Sequence, residues 1–182
     1  MTARDQPNAI AYLEDTSAVS ITPRFAYVAH ELSNSVTSFT INASSGALSS
    51  AGSVSPGLSP SFITADPTGR FAYVTTTGDD AISAYSVNAS TGTLSLIGGA
   101  STPVTQSDPA SIAIDPSGRF LYLANTGSDS ISVYTINSDG SLTQLGLPVV
   151  TAFNNDPASV AVDPSGRFLY VANRTLSLIH IS

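Results

Sequence analysis

Almost all the chemistry this chain can offer comes from carboxylates, amides and hydroxyls. Its 182 residues include thirteen Asp and Glu, two His and no Cys or Trp. Its six basic residues are all arginines: Arg4, Arg24, Arg70, Arg119, Arg167 and Arg174. The absence of lysine removes a lysine-tipped phosphate loop, and no Gly-x-Ser-x-Gly elbow is present. His30 and His180 do not stand at the spacing of a zinc pair. His30 and Glu31 form the one histidine–carboxylate pair that could act as acid and base. Adjacent residues at a strand end point opposite ways, which works against cooperation and favours simple loop decoration. A second set comprises Asp79, Asp80, Asp108, Asn125, Asp129 and Asp156. Gathered at one surface, such groups would hold a cation, bind sugar hydroxyls or supply a general base. Taken singly, each is better read as a turn cap bonding its own backbone. No metal centre and no cofactor motif is expected; Ca²⁺ is the one cofactor these residue types leave open.

What must position these residues is a repeat. Residues 61–74, 111–123 and 159–171 align on a shared core of Asp-Pro-(Ser/Thr)-Gly-Arg-Phe-(Ala/Leu)-Tyr-(Val/Leu), and residues 19–28 form a degenerate first copy. Arg24, Arg70, Arg119 and Arg167 follow one another at 46, 49 and 48 residues. In the third copy Ser111–Ile114 reads as a short apolar strand A, and Asp115–Gly118 as a turn with φ preset by proline and a glycine for φ > 0. Arg119–Ala124 then forms strand B, Ser130–Ile136 strand C and Ser141–Leu145 strand D. Strand B is apolar at successive positions, as expected when both faces of a sheet are covered. The same parts recur as Ala81–Val87 with Thr93–Ile97, and as Ser35–Ile41 with Ala47–Ala51. Four antiparallel strands in a period near 48 residues are the blade of a β-propeller. The fold class is therefore all-β, an incomplete ring of four-stranded propeller blades.

The expected division is a lead-in at 1–18, blades at 19–58, 59–107 and 108–156, the start of a fourth at 157–173, and an out-of-pattern tail at 174–182. That tail is set aside from functional reasoning. Up-and-down connectivity puts the A–B and C–D turns on one face and the B–C and D–A loops on the other. The repeated pairs Asp66 and Arg70, Asp115 and Arg119, and Asp163 and Arg167 fall on the turn face. A catalytic group is needed once and a blade-stitching turn every time, so these read as structural, the aspartate capping its turn and pairing with the arginine. The opposite face collects the candidate rim: His30, Glu31, Asp79, Asp80, Asp108, Asn125, Asp129 and Asp156.

Bulk properties narrow the partners. The net charge of −7 disfavours nucleic acid and anionic membrane surfaces. No apolar run approaches the length of a spanning helix, so no membrane insertion is expected. Residues 1–13 show no secretory signal, while few charges with abundant Ser and Thr lean towards a periplasmic or extracellular setting.

The segment Asp163-Pro-Ser-Gly-Arg-Phe-Leu-Tyr-Val-Ala-Asn173 and the hairpin Ser130–Thr143 resemble the repeat of the bacterial lactonase-type seven-bladed propellers, the 6-phosphogluconolactonase-like proteins. The related YVTN-repeat surface proteins share the Tyr-Val-Ala-Asn element. The resemblance covers roughly residues 19–173, about three and a half blades. It implies a small-molecule lactone as substrate. The residues themselves leave a second reading, a non-catalytic surface or periplasmic module binding a protein, glycan or cation through an acidic rim. Exposed blade faces would also let the chain self-associate.

Overall fold

The computed structural model describes residues 24–98, 102–103, 106–150 and 156–174. The lead-in, the expected first strand A and tail residues 175–182 lie outside them. The first blade contains β1 (Phe25–His30), β2 (Ser35–Ile41) and β3 (Leu48–Val54). The second contains β4 (Pro60–Ala65), β5 (Phe71–Thr76), β6 (Ala81–Val87), β7 (Leu94–Leu96) and β8 (Thr102–Pro103). The third contains β9 (Pro109–Ile114), β10 (Phe120–Asn125), β11 (Ser130–Ile136), β12 (Leu142–Gln144) and β13 (Val149–Val150). The fourth contributes β14 (Pro157–Val162) and β15 (Leu169–Asn173). All pairings are antiparallel, in the orders β1-β2-β3, β4-β5-β6-β7, β9-β10-β11-β12 and β14-β15.

The strand C boundaries coincide with those expected, whereas strand D departs from them. In the second and third blades it is broken in two, with β8 and β13 resuming the pairing to β6 and β11. Gly98 (φ 75°) and Gly146 (φ 70°) stand at the breaks, in a left-handed conformation that no ladder residue adopts. The inner strands begin earlier than expected, at Pro60, Pro109 and Pro157, one residue before the aligned segment at 61 and two before those at 111 and 159, and each carries a bulge. Pairing jumps from Pro60 to Phe62, from Pro109 to Ser111 and from Pro157 to Ser159. Ser61, Ala110 and Ala158 are thus left out of the ladder, and proline is tolerated because it opens the strand.

The core lies between blades. Alternation along β5 sends Ala72 and Val74 towards the first blade, into a cluster with Val36 and Tyr85. Phe71 and Tyr73 point the other way, into a cluster with Ile112, Leu121, Leu123 and Tyr134 of the third blade. A smaller cluster of Ala124, Ile131 and Val160 joins the third blade to the fourth. A repeated latch closes the outer edge. Tyr27 Oη donates to the Gly92 carbonyl of the next blade at 3.0 Å, and Tyr73 Oη does the same to Gly140, also at 3.0 Å. Burial, with the charges of Asp66 and Asp139 and against that of Arg70, pushes the Tyr73 hydroxyl far above its usual range.

Candidate functional site

Two repeating positions converge on one cavity of about 420 Å³. The first is the bulged residue of the inner strand, where Ser61, Ala110 and Ala158 stand; a bulge re-aims its side chain. The second is the residue that follows strand B: Glu31, Thr77, Thr126 and Arg174, one from each blade. Its backbone is held alike in the second, third and fourth blades. The N–H groups of Thr77, Thr126 and Arg174 donate to the carbonyls of Ser59, Asp108 and Asp156 at 3.1, 2.9 and 3.0 Å. Across these three blades the scaffold is thus constant, and only the side chain offered to the cavity changes.

Those side chains differ in what they have left to give. Thr77 Oγ1 donates to the Ser59 carbonyl at 3.1 Å and Thr126 Oγ1 to the Pro157 carbonyl at 2.8 Å. Ser61 Oγ lies 2.9 Å from Thr75 Oγ1 and donates to the Pro109 carbonyl at 3.2 Å. The Glu31 carboxylate and the Arg174 guanidinium, from the first and fourth blades, make no hydrogen bond or ion pair with the described residues. The cavity accordingly offers one unspent carboxylate, one unspent cation and, at its third-blade side, Asp108.

Most of the candidate rim is occupied by backbone work. Asn34, Asp80 and Asp129 close the B–C loops at φ 51°, 47° and 49°, and Ser59, Asp108 and Asp156 precede the inner strands at φ 52°, 53° and 43°. Asn and Asp tolerate this left-handed region better than other side chains. Each member of the first set accepts a hydrogen bond from the backbone N–H of its counterpart in the following blade. The bonds run from Ser59 to Asn34 at 2.7 Å, from Asp108 to Asp80 at 2.8 Å and from Asp156 to Asp129 at 2.8 Å. Asp79 Oδ2 accepts from the Leu58 N–H at 2.6 Å. Asn125 is fully buried; its Nδ2 donates to Ser132 Oγ at 2.9 Å and to both oxygens of Ser130, while its Oδ1 is unpartnered. Asp108 lines the cavity, and Asp156 is present there only through the carbonyl that holds Arg174. His30 Nε2 meets Thr37 Oγ1 at 3.1 Å, away from Glu31's cavity. Among the described residues no three His, Asp or Glu gather at one point as a metal site would require.

The repeated turn uses its aspartate as a cap. Asp115 accepts the N–H groups of Ser117, Arg119 and Phe120 at 3.1, 2.7 and 2.7 Å, together with the Ser117 hydroxyl. Burial opposes ionisation, but those four donors outweigh it and leave the Asp115 carboxyl below the usual carboxylate range. At the exposed copy, the Ser165 hydroxyl and the N–H groups of Phe168, Ser165 and Arg167 bring Asp163 down to about 2. Asp66 is bonded in the same way to Thr68 and Phe71. The expected aspartate–arginine pairing takes a different form, because Arg119 and Arg167 meet the carboxylate through the main chain. All four guanidinium groups stack on the following ring, Arg24 over Phe25, Arg70 over Phe71, Arg119 over Phe120 and Arg167 over Phe168, at 5.4, 4.8, 5.3 and 5.6 Å.

Arg174 is the site residue that reasoning from the sequence set aside, along with its tail. The available signal was its register: it follows Asn173 as Thr126 follows Asn125 and Thr77 follows Thr76. An arginine is therefore present on the cavity face, while the repeated Arg24, Arg70, Arg119 and Arg167 stay with the turns as expected.

The comparisons agree with this architecture. The family described as Lactonase, 7-bladed beta-propeller matches residues 16–153. A candidate 6-phosphogluconolactonase from Bacteroides uniformis superposes with a TM-score of 0.76 at 22% identity, covering 90% of this chain and 48% of that one. A candidate 6-phosphogluconolactonase from Bacteroides fragilis gives 0.67 at 25% identity, covering 81% and 44%. The periplasmic gluconolactonase of Pseudomonas aeruginosa gives 0.64 at 24% identity, covering 71% and 37%. No curated protein matches the chain. The chain spans about half the length of the solved structure it covers best among these. With its blades, its repeat and the family match in agreement, the chain belongs to the lactonase family of seven-bladed β-propellers.

Proposed function

We propose that the cavity belongs to a lactone hydrolase, with Glu31 as general base and Arg174 as the cation facing the carbonyl oxygen. The observation that carries this reading is that the unspent carboxylate and the unspent guanidinium open into one cavity. Ring opening asks for those two groups. Glu31 takes a proton from water, and the resulting hydroxide oxygen adds to the carbonyl carbon. Arg174 stabilises the negative oxygen as the intermediate forms. The acyl carbon to ring-oxygen bond then breaks, and the ring oxygen takes the proton held by Glu31, which gives the hydroxy acid and restores the carboxylate. The names of the related proteins, 6-phosphogluconolactonase and gluconolactonase, point to a sugar lactone as the substrate class.

The test is hydrolysis of a panel of sugar lactones. Glu31→Gln should lower kcat by about 10²- to 10⁴-fold, the usual range for a positioned base. Arg174→Ala should lower kcat/KM while leaving the far-ultraviolet circular dichroism unchanged. Wild-type rates in both variants would overturn the assignment. A second reading, a binding module for a glycan, protein or Ca²⁺, draws support from the two acidic residues, Glu31 and Asp108, that line the same cavity. It predicts a rise in Tm with a sugar or Ca²⁺ and no turnover of any lactone.

A further inference from the structure

Among the described residues three charged side chains line the cavity, and the ring-opening chemistry uses two of them, Glu31 and Arg174. The third, Asp108, stands where the second and third blades meet. Its main chain is held on every side. The Asp108 N–H donates to Asp80 Oδ1 at 2.8 Å, and its carbonyl accepts the Thr126 N–H at 2.9 Å. The N–H of the preceding Ser107 donates to Ser128 Oγ at 2.8 Å. The carboxylate, by contrast, accepts no hydrogen bond from the described residues. It lies over Gly127, where a built Cβ would fall 2.5 Å from Asp108 Oδ2. Any side chain at that position would have to push the carboxylate aside.

The backbone does not ask for an acid here. Ser59, in the same place one blade earlier, adopts a φ of 52° against 53° for Asp108. It gives its N–H to Asn34 and its carbonyl to Thr77 in the same way. Asp156 repeats the residue type in the fourth blade, yet of the three equivalent positions only Asp108 lines the cavity. A free carboxylate on a fixed backbone recognises a hydrogen-bond donor. The carbonyl and ring oxygens of a lactone are acceptors, so its donors are its hydroxyls. The same negative charge would repel a phosphate set against it.

On the reading that this cavity opens a sugar lactone, we propose that Asp108 binds a ring hydroxyl of the substrate and sets a preference for a polyhydroxylated, unphosphorylated lactone. The bond is charge-assisted, and little freedom is lost in forming it because the carboxylate is held in advance.

Asp108→Ser tests this, since the fold already accepts serine in the equivalent place. The kcat/KM ratio of gluconolactone to δ-valerolactone, which carries no hydroxyl, should fall about 10- to 100-fold, the range for a hydrogen bond to a charged group. The ratio of 6-phosphogluconolactone to gluconolactone should rise. Binding of gluconolactam, whose ring amide resists opening, isolates recognition from chemistry: its Kd should rise by a similar factor in the variant. Circular dichroism and Tm check that the variant is folded. An equal loss on gluconolactone and δ-valerolactone would overturn the proposal, as would an unchanged Kd for the lactam or its failure to bind the wild type. Wild type that binds the lactam through Asp108 but hydrolyses no lactone would overturn the catalytic reading and leave the recognition by Asp108 standing.

Discussion

At the scale of single residues, the acids of this chain are mainly instruments of backbone geometry. The turn aspartates show it through pH. An unfolded aspartate titrates near ~3.9, while Asp115 lies below the usual range in the folded chain and Asp163 lies at about 2. A carboxyl whose folded pKa is depressed adds stability that is complete above the unfolded value and drains as pH falls through the folded one. We expect Asp115→Asn to lower the urea midpoint at neutral pH, and the gap from wild type to narrow as pH drops below about 4. A gap that stays constant as the solution is acidified would contradict this. Asp115→Ala, which strands the N–H groups of Ser117, Arg119 and Phe120, should cost about 2–3 kcal/mol at neutral pH. The interblade stitch behaves differently. Asp80→Asn keeps both the acceptor and the tolerance for φ > 0 and should be nearly neutral, whereas Asp80→Ala loses both and should cost about 1–3 kcal/mol by chemical denaturation. Equal losses in the two variants would show that charge, rather than hydrogen bonding, matters there.

At the scale of elements, the tyrosine latch gives the sharpest contrast between equivalent positions. Tyr73→Phe removes the bond to the Gly140 carbonyl while leaving the ring in its cluster, and should cost about 1 kcal/mol. Gly140→Ala should cost more than Gly46→Ala in the isolated chain. Both alter a positive φ, but only the former drives a Cβ into Phe71. Thermal melts of the two variants at low concentration check the order. These elements also show how far the sequence reaches. Strands C were legible to the residue because Ser130–Ile136 and its copies each run from a polar loop to a turn that carries glycine, Gly46, Gly92 or Gly140. The turn-capping aspartate of Asp-Pro-Ser-Gly-Arg was expected from its repetition, and Asp115 and Asp163 each bond the N–H groups of their own turn. The bulge at Ser61, Ala110 and Ala158 was not legible, because a skipped pair is decided by the neighbouring strand and leaves no local mark. For the same reason, loop acids that look alike on paper divide into an open cavity residue, Asp108, and stitches such as Asp80. Arg174 was hidden by an irregular sequence after it, although its own register was regular.

At the scale of the whole molecule, the blades form a one-dimensional array in which each contacts its neighbours, so stability is distributed by position. The second and third blades each have a packed cluster on both faces, while the described parts of the first and fourth have one. Burial follows suit. Every residue of β5 is buried, whereas β3 is mostly exposed and β15 has no buried residue. Amide exchange at low concentration should therefore be slowest in β5, β6, β10 and β11, and the protection should fall away towards β1–β3 and β14–β15. The central junction can be cut separately from the outer one. Leu121 is fully buried at the contact of the second and third blades, so Leu121→Ala should cost about 2–5 kcal/mol and speed exchange in β5 and β10 together. Val160→Ala, at the junction of the third and fourth blades, should speed exchange in β14, β15 and part of β10 while leaving β5 and β6 protected. If both substitutions lowered protection equally in all four blades, the array would be unfolding as a single cooperative unit and the nearest-neighbour account would fail.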